Sequence, residues 1–383
     1  MSAVSQLETR TPKASTPKKI LLMGHTDGQG GAQTAFKKLC EFTLQEGHDV
    51  KIIVLSDSKL SQQPFQREEL LGRIAYTGSR VRLAFKKTIG VLNVGIKAWR
   101  FRPDVFVCVG LNNSSNIVAK FLGKHCFKAG QDFIANRTID DPTWVTSRKT
   151  MDGLVVQAPS MLSYWKQKES NATNINWLPC FPEAPVEGIL QQQRNTSKEV
   201  IKLGYFGRLA GNKGLDLLLH ALADANMPKN IRLDLWGRGQ EEAPLKRLTT
   251  ELGIASMVNF SGAYPSGVEG AKLMASYDGM VLCSTGMEGL PLILLESMAY
   301  GVPFLATNVG AIKDCCTDNP DAILVEPDQE RIVEGLKQMI TKIEQGQFNA
   351  QRHRTFYTKT FSGTVMGARW RAFYEDPKQF FYA

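Results

Sequence analysis

Four charged residues in the second half of the chain stand where apolar runs give way to helix-like ones: Arg208, Lys213, Glu288 and Glu296. Arg208 and Lys213 lie between IKLGYFG (201–207), a strand-like run, and KGLDLLLHALADA (213–225), an amphipathic one. Two cations on a strand-to-helix turn suit a diphosphate, arginine as a fork of donors and lysine as a point charge. Glu288 and Glu296 bracket a Gly-Leu-Pro and an apolar run within STGMEGLPLILLESMAYGVP (284–303). The preceding DGMVLCS (278–284) reads as a buried strand, so Glu288 falls in a strand-to-helix loop. Pro291 suits the first helical position and Gly289 can cap it. Glu296 is then expected on the helix, roughly two turns along and ~9 Å further on. The N–H groups around Leu290 to Ile293, with the positive end of the helix, form an anion site between the two carboxylates. A ligand fitting that frame has phosphates in its middle and hydroxyls at both ends, which describes a nucleotide sugar.

These residues resemble the Glu-x7-Glu motif of the glycosyltransferase family 4 type, whose members are retaining enzymes of the GT-B fold. The resemblance implies an α/β chain with two Rossmann-like domains, their parallel sheets facing across a cleft. It also implies that Glu288 faces the donor sugar and Glu296 the ribose, with Gly289, Leu290 and Pro291 lining the donor. The family's Gly-Arg…Lys-Gly motif is matched at Gly207-Arg208 and Lys213-Gly214. There the cation pair stabilises the departing nucleoside diphosphate. A Gly-Gly loop near the family's N-terminus contacts donor phosphate, and Gly30-Gly31 match it. The bare sequence fits a simple tight turn there equally well. Where many relatives have an acceptor-facing histidine, this chain has Asn136 and Arg137. Its Pro179-Cys180-Phe181 replaces the family's Pro-Asn-Gly, and Ala311 follows Gly310 where a second glycine is usual. The resemblance runs from about Lys18 to the final helix and is more specific in the second half.

Placing such residues takes more than one core, and 383 residues exceed the size at which a single core keeps growing. Composition is that of an ordinary globular protein, 43% hydrophobic and 22% charged. Residues 1–185 hold 25 Lys and Arg against 15 Asp and Glu, net +10; the remainder holds 21 against 22, net −1. A basic first half implies an anionic partner there. Seven cysteines without a C-x-x-C argue against a disulfide framework or a zinc site and for a cytoplasmic chain. Cys315 and Cys316 are expected to pack at a helix start. No apolar run approaches the ~18 residues of a membrane span.

Alternating strand-like and helix-like runs predict parallel sheets in both halves. Residues 1–17, rich in Ser, Thr, Pro and Lys, read as a disordered tail. KKILLMG, the glycine-rich HTDGQGGA and a helical run open an N-terminal, acceptor-side domain over 18–181. QDFIANRTIDDPTW (131–144) is read there as a strand ending in a polar cluster. Residues 79–102 place Val81, Phe85, Leu92, Ile96 and Trp99 on one helical face beside a stripe of Arg82, Lys86, Lys97 and Arg100. Gly90 and Gly95 weaken that helix and suggest two pieces. An ordinary domain helix with a solvated basic edge fits the pattern, and so does a face for an anionic membrane. Residues 182–199 are the linker candidate, 200–360 the nucleotide-sugar domain, and 361–383 a helix crossing back to the first domain.

The reading is a retaining hexosyltransferase acting from a nucleoside-diphosphate sugar, UDP over GDP, on a hydroxyl of a saccharide or lipid-linked acceptor in cell-surface glycan or glycolipid synthesis. No Asp-x-Asp or ligand cluster calls for a metal, and no cofactor beyond the substrate is expected. The transferase is expected in the cytoplasm, soluble or docked peripherally at the cytoplasmic face of a membrane. Two other readings keep the fold: a sugar-nucleotide epimerase or hydrolase, and a non-catalytic protein binding sugar nucleotide or an anionic membrane. Nucleic-acid binding rests on charge alone and lacks an aromatic-interleaved basic module.

Overall fold

A computed structural model describes residues 16–27, 30–56, 65, 69–74, 80–131, 142–168, 174–191 and 200–382. The chain forms two compact units: one up to Phe181 that also takes the chain from Gly363 onward, the other from Pro182 to Ser362.

Unit one contains β1 (Lys19–His25), α1 (Gly31–Gln45), β2 (Asp49–Leu55), β3 (Leu70–Ile74), α2 (Arg80–Phe101), β4 (Val105–Val109) and α3 (Asn113–Phe121). It continues through β5 (Phe127–Gln131), α4 (Pro142–Thr150), β6 (Gly153–Val156), α5 (Pro159–Lys168) and β7 (Ile175–Trp177). The sheet is parallel in the order β3-β2-β1-β4-β5-β6-β7. VFVCV in β4 is buried at every position because a parallel sheet with helices on both faces has no wet side. At the edge, β3 carries the half-exposed LLGR, too weak a pattern to read from sequence.

Two expectations change in this unit. A strand covers 127–131, where FKAGQ is wholly buried; of the stretch 131–144 read as a strand, 132–141 lie outside the described residues and 142–144 open α4 instead. Its polar cluster, Asn136, Arg137, Asp140 and Asp141, lies outside the described residues, as does Gly28. The two pieces expected over 79–102 are one helix of 22 residues. Gly95 does not break it; a Cβ there would sit 2.6 Å from the Phe121 ring, so the glycine lets α3 pack close.

Unit two contains β8 (Ile201–Phe206), a 3₁₀ turn (Gly211–Lys213), α6 (Leu215–Leu222), β9 (Ile231–Trp236), α7 (Glu242–Glu251), β10 (Val258–Gly262) and α8 (Gly267–Ala275). Then come β11 (Gly279–Leu282), α9 (Leu292–Ala299), β12 (Phe304–Thr307), α10 (Ile312–Cys316), β13 (Ala322–Val325), α11 (Gln329–Glu344) and α12 (Ala350–Thr360). Its parallel sheet runs β10-β9-β8-β11-β12-β13. Residues 182–191 are bound into this unit rather than strung as a linker. The Val186 N–H donates to the Tyr300 hydroxyl at 3.2 Å, and the Gln191 amide donates to the Tyr277 carbonyl at 2.6 Å. Residues 192–199 lie outside the description. Cys315 and Cys316 close α10 rather than open it, and all seven cysteines are free.

The single helix expected over 361–383 is two, α13 (Gly363–Glu375) and α14 (Pro377–Tyr382), broken before Pro377. Both pack within unit one. Trp370 donates from Nε1 to the Pro179 carbonyl at 2.8 Å, and the Tyr374 and Thr43 hydroxyls meet at 2.9 Å. Arg371 forks onto Glu46 at 2.8 and 2.9 Å. A Cβ on Gly153 would strike the Phe381 ring at 2.5 Å, so that glycine admits α14.

Candidate functional site

In unit two the turns after the strands are tied to one another. After β8, the Tyr205 hydroxyl donates to the Arg208 carbonyl at 2.7 Å, fixing the backbone below an exposed Arg208 side chain. The Leu209 N–H donates to the Arg238 carbonyl at 3.0 Å, joining this turn to the one after β9. Lys213 ends the 3₁₀ turn, and the left-handed Gly214 (φ 59°) starts the path into α6. A Cβ on Gly214 would fall 2.0 Å from the Cys283 carbonyl, so only glycine lets this turn lie against the end of β11. The Asn212 carbonyl then accepts from the N–H groups of Thr285 and Gly286, at 3.0 and 3.1 Å.

That seam brings Lys213 onto Glu288. The Lys213 ammonium donates to the Glu288 carboxylate, and both side chains are largely buried, at 15% and 14% exposure. Ser284 Oγ donates to the same carboxylate oxygen, Oε1, at 2.6 Å. Thr307 at the end of β12 donates in turn to the Ser284 carbonyl at 2.6 Å. Behind Glu288, Gly310 (φ 58°) has no room for a Cβ, which would lie 1.9 Å from the Glu288 carbonyl; that carbonyl accepts from the Ala311 N–H at 3.0 Å. Three strand-end turns thus hold one carboxylate. Burial raises the Tyr205 hydroxyl's pKa well above its usual range; the Glu288 charge adds to this and Arg208 opposes it. The phenol stays neutral and serves as a donor.

Pro291 is the N-cap of α9, not its first helical residue, and Gly289 is not the cap. Its φ of −71° would suit either position, but its ψ of 112° is extended. The Pro291 carbonyl accepts from the Leu294 N–H at 3.0 Å. With the helix starting at Leu292, Glu296 lies four residues into it, about 6 Å from its start, not two turns. Leu290 is buried and Glu296 half-buried. Glu296 lies near two phenols: burial raises the Tyr264 pKa to about 12, with the Glu296 and then the Glu183 charge adding to the rise, and Tyr300 shifts up through burial and the same two acids. Tyr264 packs edge-on to Phe206 with centroids 5.3 Å apart.

The far end of α9 is held by a polar core. His353 Nδ1 lies 3.0 Å from the Asn319 side-chain oxygen, and Asn319 donates to the Cys315 carbonyl at 2.9 Å and lies 3.4 Å from the Met298 sulfur. Burial lowers the His353 pKa to about 4 despite the Asp321 charge nearby. Asp321 is engaged by the Arg352 guanidinium at 2.6 and 2.7 Å.

In unit one, Gly30 is the N-cap of α1 in extended backbone and Gly31 its first residue, with nothing within 4 Å of a Cβ there. Asn136 and Arg137 lie outside the description. At the described strand ends of this unit, Ser56 Oγ donates to Asp27 at 2.5 Å and Gln131 donates to the Leu178 carbonyl at 3.1 Å. Sequence reading had no purchase on Asn212, which acts through its backbone carbonyl, or on the Ser284 and Thr307 hydroxyls; the one local signal was a hydroxyl four residues before Glu288.

Residues 187–353, inside unit two, match the family described as Glycosyl transferases group 1. The chain is 23% identical over 323 residues to the lipopolysaccharide core biosynthesis glycosyltransferase LpsE of Rhizobium meliloti, covering 82% of this chain and 87% of LpsE. It is 30% identical over 166 residues to the MMP α-(1→4)-mannosyltransferase of Mycolicibacterium hassiacum, covering 43% of this chain. That match spans only 40% of the mannosyltransferase's length. Among solved structures, Anabaena Alr3699/HepE in complex with UDP and glucose superposes with a TM-score of 0.74 at 16% identity, over 94% of this chain and all of that one. Two parallel Rossmann-like halves in one α/β chain, with such neighbours, are the GT-B fold.

Proposed function

We infer, from the premise that residues 187–353 form a Glycosyl transferases group 1 domain and that the chain is an enzyme of the glycosyltransferase class, a hexosyl transfer from a nucleoside-diphosphate sugar with retention at the anomeric carbon. A UDP-sugar is the favoured donor, in keeping with the UDP bound by the Anabaena neighbour. The acceptor is a hydroxyl of a saccharide or lipid-linked saccharide, in lipopolysaccharide or related glycan synthesis, in keeping with the role named for LpsE.

The observation that carries this reading is the Lys213–Glu288 pair, held by Ser284 and the Gly310 turn ahead of α9. In the transfer, the bond from sugar C1 to the phosphate oxygen breaks and the acceptor oxygen bonds C1 on the same face. The acceptor proton passes to the departing phosphate, so no protein base is required. Negative charge grows on the diphosphate, and donors already in place lower that barrier most. Lys213 and Arg208 supply them, with the N-terminus of α9 and Gly289, Leu290 and Pro291 lining the phosphates. Before donor arrives, Glu288 holds the Lys213 ammonium; once the diphosphate shares that cation, the carboxylate turns to the sugar hydroxyls. Glu296 takes the ribose. Gly30 and Gly31 are assigned to the donor phosphate and Asn136 and Arg137 to the acceptor, and no metal or cofactor is assigned.

The test is a thermal-shift titration with UDP, GDP and ADP. Saturation at ~100 times Kd adds about 2.7 kcal/mol of stability. UDP is expected to give the largest shift, and Lys213→Ala to reduce it. No shift with any nucleotide, together with an unchanged transfer rate in Lys213→Ala, overturns the assignment.

A further inference from the structure

In unit two, β8 and β9 end on the same pattern, an aromatic residue followed by Gly-Arg: Phe206-Gly207-Arg208 and Trp236-Gly237-Arg238. The strands are parallel neighbours and Phe206 is the register partner of Trp236, so the two arginines leave the sheet side by side. The two rings stack with centroids 6.2 Å apart. Glycines let the turns touch. A Cβ on Gly237 (φ 143°) would fall 1.8 Å from the Gly207 carbonyl oxygen, and one on Gly239 would fall 2.0 Å from that of Leu209. The Leu209 N–H donates to the Arg238 carbonyl at 3.0 Å, and the Glu241 N–H donates to the Leu209 carbonyl at 3.1 Å. On the other flank the Gly237 N–H donates at 2.6 Å to the carbonyl of Gly262, at the end of β10. The backbone at Arg238 is thus clamped from both neighbouring strands while its side chain is exposed. Among the described residues no ion pair engages that guanidinium. A donor-only group on a rigid mount, at the carboxyl ends of parallel strands, is placed for a ligand.

Sheet order says which part of the ligand it meets. β8 lies between β11 and β9, and β10 is outermost. Lys213, Glu288 and the start of α9, to which the diphosphate is assigned, lie at the seam of β8 with β11. Tyr264, which feels the Glu296 charge, follows β10 on the opposite flank. A nucleotide running from that seam, past a ribose at Glu296, toward Tyr264 crosses the turn after β9. We propose, building on the donor reading above, that Arg238 donates to a ring carbonyl of the nucleotide base and so selects uracil or guanine over cytosine or adenine. Uracil O4 and guanine O6 accept from a guanidinium, whereas cytosine and adenine present an amino group at the same ring position, donor against donor.

The experiment is isothermal titration calorimetry of the full chain with UDP, CDP, GDP, ADP and pyrophosphate. In the better-bound pair, UDP with CDP or GDP with ADP, the oxo base is expected to bind about tenfold tighter, the size of one good base contact. Arg238→Ala should bring that ratio within about twofold and leave pyrophosphate binding unchanged. The bond from Leu209 reaches the Arg238 backbone, so the turn survives the substitution, and circular dichroism confirms the fold. Arg247→Ala, which removes the same charge from an exposed position on α7, should behave as wild type. A ratio that persists in Arg238→Ala overturns the proposal, as does a wild type without the oxo preference in either pair. So does an equal loss for all five ligands, which makes Arg238 a phosphate contact. Absence of binding by every nucleotide removes the donor reading and the proposal together; nucleotide binding with a ratio indifferent to Arg238 removes the proposal alone.

Discussion

The two units share a plan of parallel strands ordered outward from a central pair, yet they put charge in different places. In unit two it gathers at the strand-end turns, where Arg208 is exposed above a pinned backbone and Lys213 meets Glu288. In unit one the described strand ends carry small polar pairs such as Ser56 with Asp27, while cations stand on the outer face of α2. A common sheet therefore says little about chemistry; hydrogen bonds between neighbouring turns decide it. Both units place a serine hydroxyl on a strand-end carboxylate, at 2.5 Å for Ser56 and 2.6 Å for Ser284, and the second carboxylate also holds Lys213.

The comparison can be broken most directly at that lysine. Lys213→Ala removes a donor to developing charge and leaves Glu288 largely buried without its cation; transfer should fall by about 10²–10³, or roughly 3–4 kcal/mol. Steady-state rates at saturating donor would read it, and a loss below tenfold would put unit two's edge on a par with unit one's.

Acid should strike next. The folded-state pKa of His353 is depressed to about 4, burial being the main cause. The unfolded chain then binds the extra proton between about pH 6.5 and 4, so stability is fully present above that window and drains as pH falls through it. The expected loss is about 3 kcal/mol, an order-of-magnitude figure. Urea unfolding of wild type at pH 7 and 4.5 checks the slope, and His353→Gln should flatten it.

Gly310→Ala forces a Cβ toward the Glu288 carbonyl at a φ that side chains avoid, costing about 1–3 kcal/mol. A urea midpoint shift accompanied by a fall in kcat is expected; a purely structural effect would leave kcat untouched. The smallest effect sharpens the comparison most. Ser284→Ala should lower kcat about tenfold, the size of one hydrogen bond to a charged group, while Ser56→Ala leaves it within about twofold. Equal losses in the two variants would mean that the edges of both units act on the reacting sugar.

Much of this was legible in the sequence because it was local. Continuous apolar runs such as VFVCV can only be doubly buried strands, and glycines and cations between them marked the turns. Pro291 misled by one position because its ring fixes φ alone, and the cap differs from the first helical residue in ψ. The tie between Lys213 and Glu288 is 75 residues long in sequence. It depends on an Asn212 carbonyl and a glycine against Cys283, backbone contacts that side-chain types do not announce. Edge strand β3 was missed because a half-exposed edge lacks the hydrophobic pattern of a core strand. Gly95 misled in the opposite sense: intrinsic propensity argued for a break, and tertiary packing against Phe121 overrode it.

The location of α13 and α14 has a consequence for how the protein is made. Trp370, Tyr374 and Phe381, nearly or fully buried against unit one, leave the ribosome after all of unit two. Domains ordinarily close in the order of synthesis. Here the stretch from Pro182 to Ser362 is contiguous and can close as soon as it emerges, whereas the sheet begun at Lys19 must wait for the last helices to cover Phe127, Gly153 and Pro179. The half translated first is the half completed last, and through that interval it depends on whatever shields nascent apolar surface.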